Sequence, residues 1–142
     1  MNTKSAFSLV EVLVALVIIA IMGSVVAIAL DGTTDEAKVT ATNAELDTLA
    51  SAITLFRAQQ GFLPTQRQGL SVLVQAPTRE PLAPRYPQGG YLQSSEVPLD
   101  AWDNSYIYLT PGRNGQPYEI LSYGADGIEG GTGPNADLST AD

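Results

Sequence analysis

In 142 residues, Asp and Glu outnumber Lys and Arg by 15 to 7, and neither cysteine nor histidine occurs. The missing thiols exclude a disulfide framework and a thiolate metal site, and the missing imidazoles remove the usual general base near neutral pH. A net charge of −8 argues against nucleic acid or anionic headgroups as partners and suits divalent cations. With an apolar amino end set aside, roughly 110 residues remain, enough for one small domain and no second independent core.

The apolar end is a run of 19 uncharged residues, Val12 to Leu30, that follows a lone glutamate, Glu11. At ~1.5 Å per helical residue such a run just crosses hydrocarbon of roughly 30 Å. Three readings compete. A secretory signal peptide has a shorter apolar stretch and no acid at its head. A plain anchor explains the length and places the short Lys4 end in the cytoplasm with the acidic domain outside, but leaves Glu11 unexplained. In the third reading the chain is cut between Ala6 and Phe7, and the new α-amino group lies four residues, one helical turn, from Glu11. Between parallel helices offset along their axes, that amine and the carboxylate could pair inside an apolar bundle and set the register of successive subunits. A registering glutamate and a glutamate tolerated at the bilayer edge both remain open on the residues alone.

The stretch Ala6-Phe7-Ser8-Leu9-Val10-Glu11-Val12-Leu13-Val14-Ala15-Leu16 resembles the class III leader and amino-terminal helix of type IV pilins and type II secretion pseudopilins. The resemblance implies cleavage between Ala6 and Phe7 by a prepilin peptidase, methylation of the Phe7 amine, and a part for Glu11 in guiding assembly. Ala6 stands where the family pattern has glycine.

Beyond Leu30 the helical pattern persists. Val39, Leu46, Leu49, Ile53 and Phe56 recur at spacings of three, four and seven, a stripe that faces either the chain's own domain or a coiled-coil partner. Gly32 with Thr33 and Thr34 is expected to loosen the helix, and Gly61 with Pro64 to stop it. One helix from about Ser8 to Gln60 would measure roughly 80 Å. Gly69 to Val74 reads as a short helix or tight turn, and Pro77, Pro81, Pro84 and Pro87 mark a pinned surface link. Strands are predicted at Ser105–Thr110 and Tyr118–Tyr123 with a turn between them at Pro111–Gly115. A long helix on a small antiparallel sheet is an α+β arrangement.

Leu63-Pro64-Thr65 with Gln68-Gly69-Leu70, then Gly89-Gly90-Tyr91-Leu92 and Asp100-Ala101-Trp102-Asp103-Asn104-Ser105-Tyr106, are similar to segments of the major pseudopilins of type II secretion systems. Ala101 and Asp103 replace that family's usual proline and glycine. The type IV pilin-like fold is implied, with a leader at 1–6, a transmembrane and assembly helix at 7–30 and a periplasmic domain at 31–142. Type IV pilins proper generally close this region with a cysteine bridge, which this chain cannot make. Trp102 and the nearby tyrosines are expected in the core, with contacts to neighbouring subunits as the alternative.

From Ser122 to Asp137 the chain is rich in glycine and poor in apolar residues. Ordering it costs about 1–2 kcal/mol of backbone entropy per residue unless something organises it. Asp126, Glu129, Asn135 and Asp137 offer hard oxygens of the kind Ca²⁺ takes, but the spacing is not that of an EF-hand. A calcium loop and a solvated acidic loop both stay open on spacing. The resemblance adds one calcium, bound through Asp126 and Asp137, the carbonyls of Tyr123 and Ile128, and Asn135 near a third side-chain ligand. Glu129 has no counterpart in the family pattern.

The resemblance implies a non-enzymatic homopolymer: the major subunit of the type II secretion pseudopilus, whose growth drives folded proteins across the outer membrane. The implied partners are the prepilin peptidase, minor pseudopilins and an inner-membrane assembly platform with a cytoplasmic ATPase, with no role for nucleic acid. The subunit itself carries no nucleotide-binding loop. The implied location is a single pass of the bacterial inner membrane, with the amino end cytoplasmic and the domain periplasmic. The rivals are a minor pseudopilin or type IV pilus subunit, a membrane-anchored binding module, and a tethered hydrolase using Asp100 and Asp103 as a carboxylate pair. The last lacks the ordinary sets that activate a nucleophile.

Overall fold

The computed structural model describes residues 9–141, with side chains described outside 21–33. The dominant element is helix α1, Leu9–Gln60, of 52 residues. It continues through Gly32, Thr33 and Thr34 as helix. The chain divides into two units between Glu36 and Ala37.

In the first unit every described side chain from Leu9 to Ala20 is exposed, including Leu13, Leu16, Ile18 and Ile19. Apolar residues lie all round the helix here, so this stretch has no polar face to give to water. Among the described residues no helix is long and apolar enough to cross a membrane. The side chains of 21–30, half of the expected span, lie outside the described residues.

The second unit has its own core. Along α1 the buried line is Thr42, Leu46, Leu49, Ile53 and Phe56, with Ala52 beside it. Spacings of four and three keep these side chains on one face, so the stripe is a seam against the chain's own domain. Val39 is only half-buried, and Thr42 begins the seam instead. Gly61 ends α1 with φ of +83°, its N–H donating to the Arg57 carbonyl at 2.8 Å. That left-handed cap is where glycine carries no Cβ penalty.

A 3-10 turn at Gly69–Leu73 buries Leu70, Val72 and Leu73. The Gln68 side chain pins the proline-rich link, its Nε2 donating to the carbonyls of Arg79 and Pro81 at 3.3 and 2.9 Å. Gly90 lets the link pass close to that turn: a Cβ there would sit 2.7 Å from the Leu73 carbonyl oxygen. Tyr91 then packs its ring on Phe56, centroids 5.3 Å apart, while Phe62 meets the same Phe56 edge-on at 5.6 Å.

The sheet comprises β1 (Ile107–Leu109), β2 (Glu119–Ser122) and β3 (Leu138–Ser139), antiparallel in the order β1-β2-β3. Tyr108 lies opposite Ile120, and Ser122 opposite Leu138. Every residue of β2 is buried, because the strand has a neighbour on each side and a covered surface on both faces. The third strand was not anticipated: two residues are too short to show alternation. Trp102 departs from the expectation of a core residue. It is half-exposed, whereas Tyr106 and Tyr108 are buried in the core cluster.

Candidate functional site

Two places carry the predicted site residues. Ala6 and Phe7 lie outside the described residues. Glu11 stands exposed on α1. Nothing among the described residues buries it.

The second place is the loop between β2 and β3. It is held by its own hydrogen bonds, which supply the organisation its composition lacks. Gly124 turns the chain with φ of +67° and is buried; a Cβ there would lie 2.7 Å from the Pro134 carbonyl. The Ala125 N–H donates to that same carbonyl at 2.9 Å, and Asn104 Nδ2 donates to the Gly124 carbonyl at 3.0 Å. Asp126 Oδ1 accepts the Ile128 N–H at 3.1 Å, a local turn made by the aspartate itself. Gly131, at φ of +92°, passes against the Asn135 carbonyl so closely that no Cβ would fit.

Asp137 closes the loop. Its Oδ1 accepts the Gly130 N–H at 2.8 Å, and its Oδ2 accepts from Arg113 Nη1 at 3.1 Å. Of the predicted ligands, Asp126, Ile128 and Asn135 are exposed, while Tyr123 and Asp137 are partly buried. Among the described residues no three His, Cys, Asp or Glu side chains group to hold a metal. A cation would therefore need the Asn135 amide and main-chain carbonyls beside the two aspartates. Such a set of hard oxygens on a glycine-rich loop fits calcium in kind.

The residues not singled out beforehand are those beneath the loop. Arg113, in the β1–β2 turn, donates Nε and Nη2 to Glu119 Oε1 at 3.0 and 2.8 Å, and its backbone N–H to Oε2 at 2.8 Å. The Ser139 hydroxyl adds a fourth donor at 2.8 Å. Glu119 is 1% exposed, a buried charge made tolerable by pairing and full hydrogen bonding. The Arg113 hydrogen bond is the main cause holding its carboxyl at about 2, against the opposing effect of burial. A sequence signal existed: Arg113 is the last cation of the chain, followed by Glu119, Asp126, Glu129, Asp137 and Asp142.

The suggested carboxylate pair at 100 and 103 is not a catalytic arrangement. Asp100 is buried, with Oδ1 accepting the N–H groups of Trp102 and Asn104 at 2.9 and 2.8 Å. Its backbone carbonyl accepts the Asp103 N–H at 3.0 Å, and Asp103 itself is exposed, at φ of +66°. The pair forms a turn.

Comparison with known proteins agrees with this architecture. The family model for type II secretion system (T2SS), protein G, matches residues 29–141, and the prokaryotic N-terminal methylation motif matches residues 1–29. The type II secretion system core protein G of Pseudomonas aeruginosa is 36% identical over 139 residues, covering 98% of this chain and 96% of that protein. Its counterpart in Vibrio cholerae is 36% identical over 138 residues, covering 97% and 92%. The crystal structure of the major pseudopilin from the type 2 secretion system of enterohaemorrhagic Escherichia coli superposes with a TM-score of 0.65 at 32% identity, covering 78% of this chain and 92% of that one. A methylation motif leading directly into a protein G domain, on a helix-and-sheet fold shared with a solved major pseudopilin, identifies the chain as a member of the type II secretion system protein G family, the major pseudopilins.

Proposed function

We propose that the chain is the repeating subunit of a periplasmic pseudopilus, which grows from the inner membrane and drives folded proteins across the outer membrane. The observation that carries this reading is the exposed apolar surface from Leu9 to Ala20, which in a single chain faces solvent on all sides. Lipid covers it before assembly, and sister helices cover it afterwards. Cleavage between Ala6 and Phe7 and methylation of the new amine precede polymerisation. Glu11 then pairs with the amine of a neighbouring subunit, which fixes the axial stagger, because a mismatched stagger would leave a charge unpaired in an apolar bundle. The energy for growth comes from a cytoplasmic ATPase acting through an inner-membrane platform, with minor pseudopilins as further partners. The subunit does no chemistry of its own. One calcium ion, held by Asp126, Asp137, Asn135 and the carbonyls of Tyr123 and Ile128, keeps the tail loop in its assembling form.

The decisive experiment is the substitution Glu11→Ala in the full chain, expressed with its secretion system. Membrane insertion and leader removal should continue while filaments disappear. Normal filaments from the variant would overturn the pairing. Mass spectrometry of the mature wild-type protein should find residues 1–6 removed and the Phe7 amine methylated.

A further inference from the structure

Arg113 is fixed from below and faces upward. Two of its nitrogens and its backbone N–H are committed to the buried Glu119, which Ser139 also holds, so the plane of the guanidinium has little freedom. The remaining nitrogen, Nη1, meets Asp137 Oδ2 at 3.1 Å and lies 3.8 Å from Glu129 Oε1. One positive charge therefore serves three carboxylates, two of them in the tail loop. Asp137 is in turn the residue that fastens the loop to itself, through the Gly130 N–H.

We propose that Arg113 is a built-in counter-cation of the tail loop, holding it closed by Asp137 when no metal is bound and competing with an entering divalent cation for that carboxylate. The inference rests on the calcium reading given above. Its physical basis is simple. A guanidinium hydrogen-bonded to a ligand oxygen occupies a lone pair the metal needs and repels the metal's charge at short range. The compensation is also incomplete, since one cation faces Glu119, Glu129 and Asp137. The cluster thus keeps an attraction for a second cation, and Arg113 lowers its affinity without abolishing it. The loop would be latched in both states, by the protein's own cation in one and by the ion in the other.

The test is calcium titration by calorimetry on the full chain in detergent micelles, comparing wild type with Arg113→Gln. Hydrogen exchange at Gly130 is followed in parallel in a chelator. Losing one charged hydrogen bond to the ligand predicts calcium affinity higher by on the order of tenfold in the variant. In chelator the Gly130 amide should exchange faster in the variant, and calcium should restore its protection. Should Arg113→Gln fail to fold around the bare Glu119, the double variant Arg113→Gln with Glu119→Gln makes the same comparison with net charge unchanged. Equal or weaker calcium binding by the variant, or unchanged Gly130 exchange in chelator, would overturn the competition while leaving the calcium site standing. Absence of calcium binding by wild type and variant alike would overturn both readings.

Discussion

The Ser122 hydroxyl, at the end of β2, donates to Asp100 Oδ2 at 2.5 Å across 22 residues of sequence. The same hydroxyl accepts the Gly124 N–H at 3.1 Å. Asp100 thereby ties the turn before β1 to the point where the tail loop leaves the sheet. Replacing Asp100 by Ala strands the N–H groups of Trp102 and Asn104 as well as this hydroxyl. Hydrogen bonds to charged acceptors each contribute about 1.5–3 kcal/mol, so the variant should lose several kcal/mol of stability in denaturant unfolding. Asp100→Asn, which keeps an acceptor, should lose less. Equal losses from the two variants would mean that shape, and not hydrogen bonding, sets the requirement.

The ion pair beneath the loop predicts an acid response. The folded-state Glu119 carboxyl is held at about 2 against an ordinary 4.5, first by the hydrogen bonds from Arg113. The folded protein binds this proton less readily than the unfolded chain does. Its stabilisation is complete above ~4.5 and is lost as the pH falls towards 2. The shift corresponds to up to about 3 kcal/mol, reduced by salt because the Arg113 side chain is partly exposed. Unfolding free energies measured from pH 2 to 6 should fall more steeply with acid for wild type than for Glu119→Gln. Parallel curves would remove Glu119 from the acid response.

Calcium should raise the melting temperature of the full chain in detergent micelles. At free ion one hundred times its dissociation constant the linkage is about 2.7 kcal/mol. The substitution Asp126→Ala should abolish that increment while leaving melting in chelator nearly unchanged, because the Asp126 side chain is exposed and makes only a local turn. Identical melting of wild type in calcium and in chelator would exclude a structural ion.

Phe56 is fully buried at the seam of α1, with Phe62 and Tyr91 against its ring. Truncation to Ala should cost about 3–5 kcal/mol, read as a lower denaturant midpoint. A loss below 1 kcal/mol would show that the link bearing Tyr91 collapses into the space.

The long helix, its stop at Gly61 and the first two strands were legible because each is a local pattern: a repeat of three and four, a left-handed cap, two runs rich in β-branched and aromatic residues. Thr42 was passed over because its hydroxyl reads as polar, yet it receives the Ala101 N–H at 3.3 Å and begins the buried seam. Strand β3 and the burial of Glu119 were illegible for a common reason: both are created by segments far apart in the chain. Glu119 lies in a strand whose four residues are all buried, a covering that no local pattern announces. At the site, Asp126 and Asp137 are legible as oxygen donors on a glycine-rich tail, and the resemblance adds their grouping into one calcium site. Arg113 was missed because its partner in the loop, Asp137, lies 24 residues away. Asp103 sits where the family has glycine, and its φ of +66° shows why. Aspartate is among the few residues with a side chain that enter that region readily.

The tail loop departs from β2 after Ser122 and returns at Leu138, which pairs with Ser122 itself. Thr140 prolongs the return, donating its N–H to the Ile120 carbonyl and accepting the Ile120 N–H on its hydroxyl, both at 3.0 Å. Departure and arrival are thus the two ends of a single rung, and the excursion between them hangs from the sheet like an Ω. Insertions or deletions inside it leave the ladder's register untouched. Even doubling its length would add only about 0.6 kcal/mol of closure entropy, so the sheet sets no tight limit on the loop's length. The limits come from the loop's own contacts, Asp137 to Gly130 and Arg113 first among them.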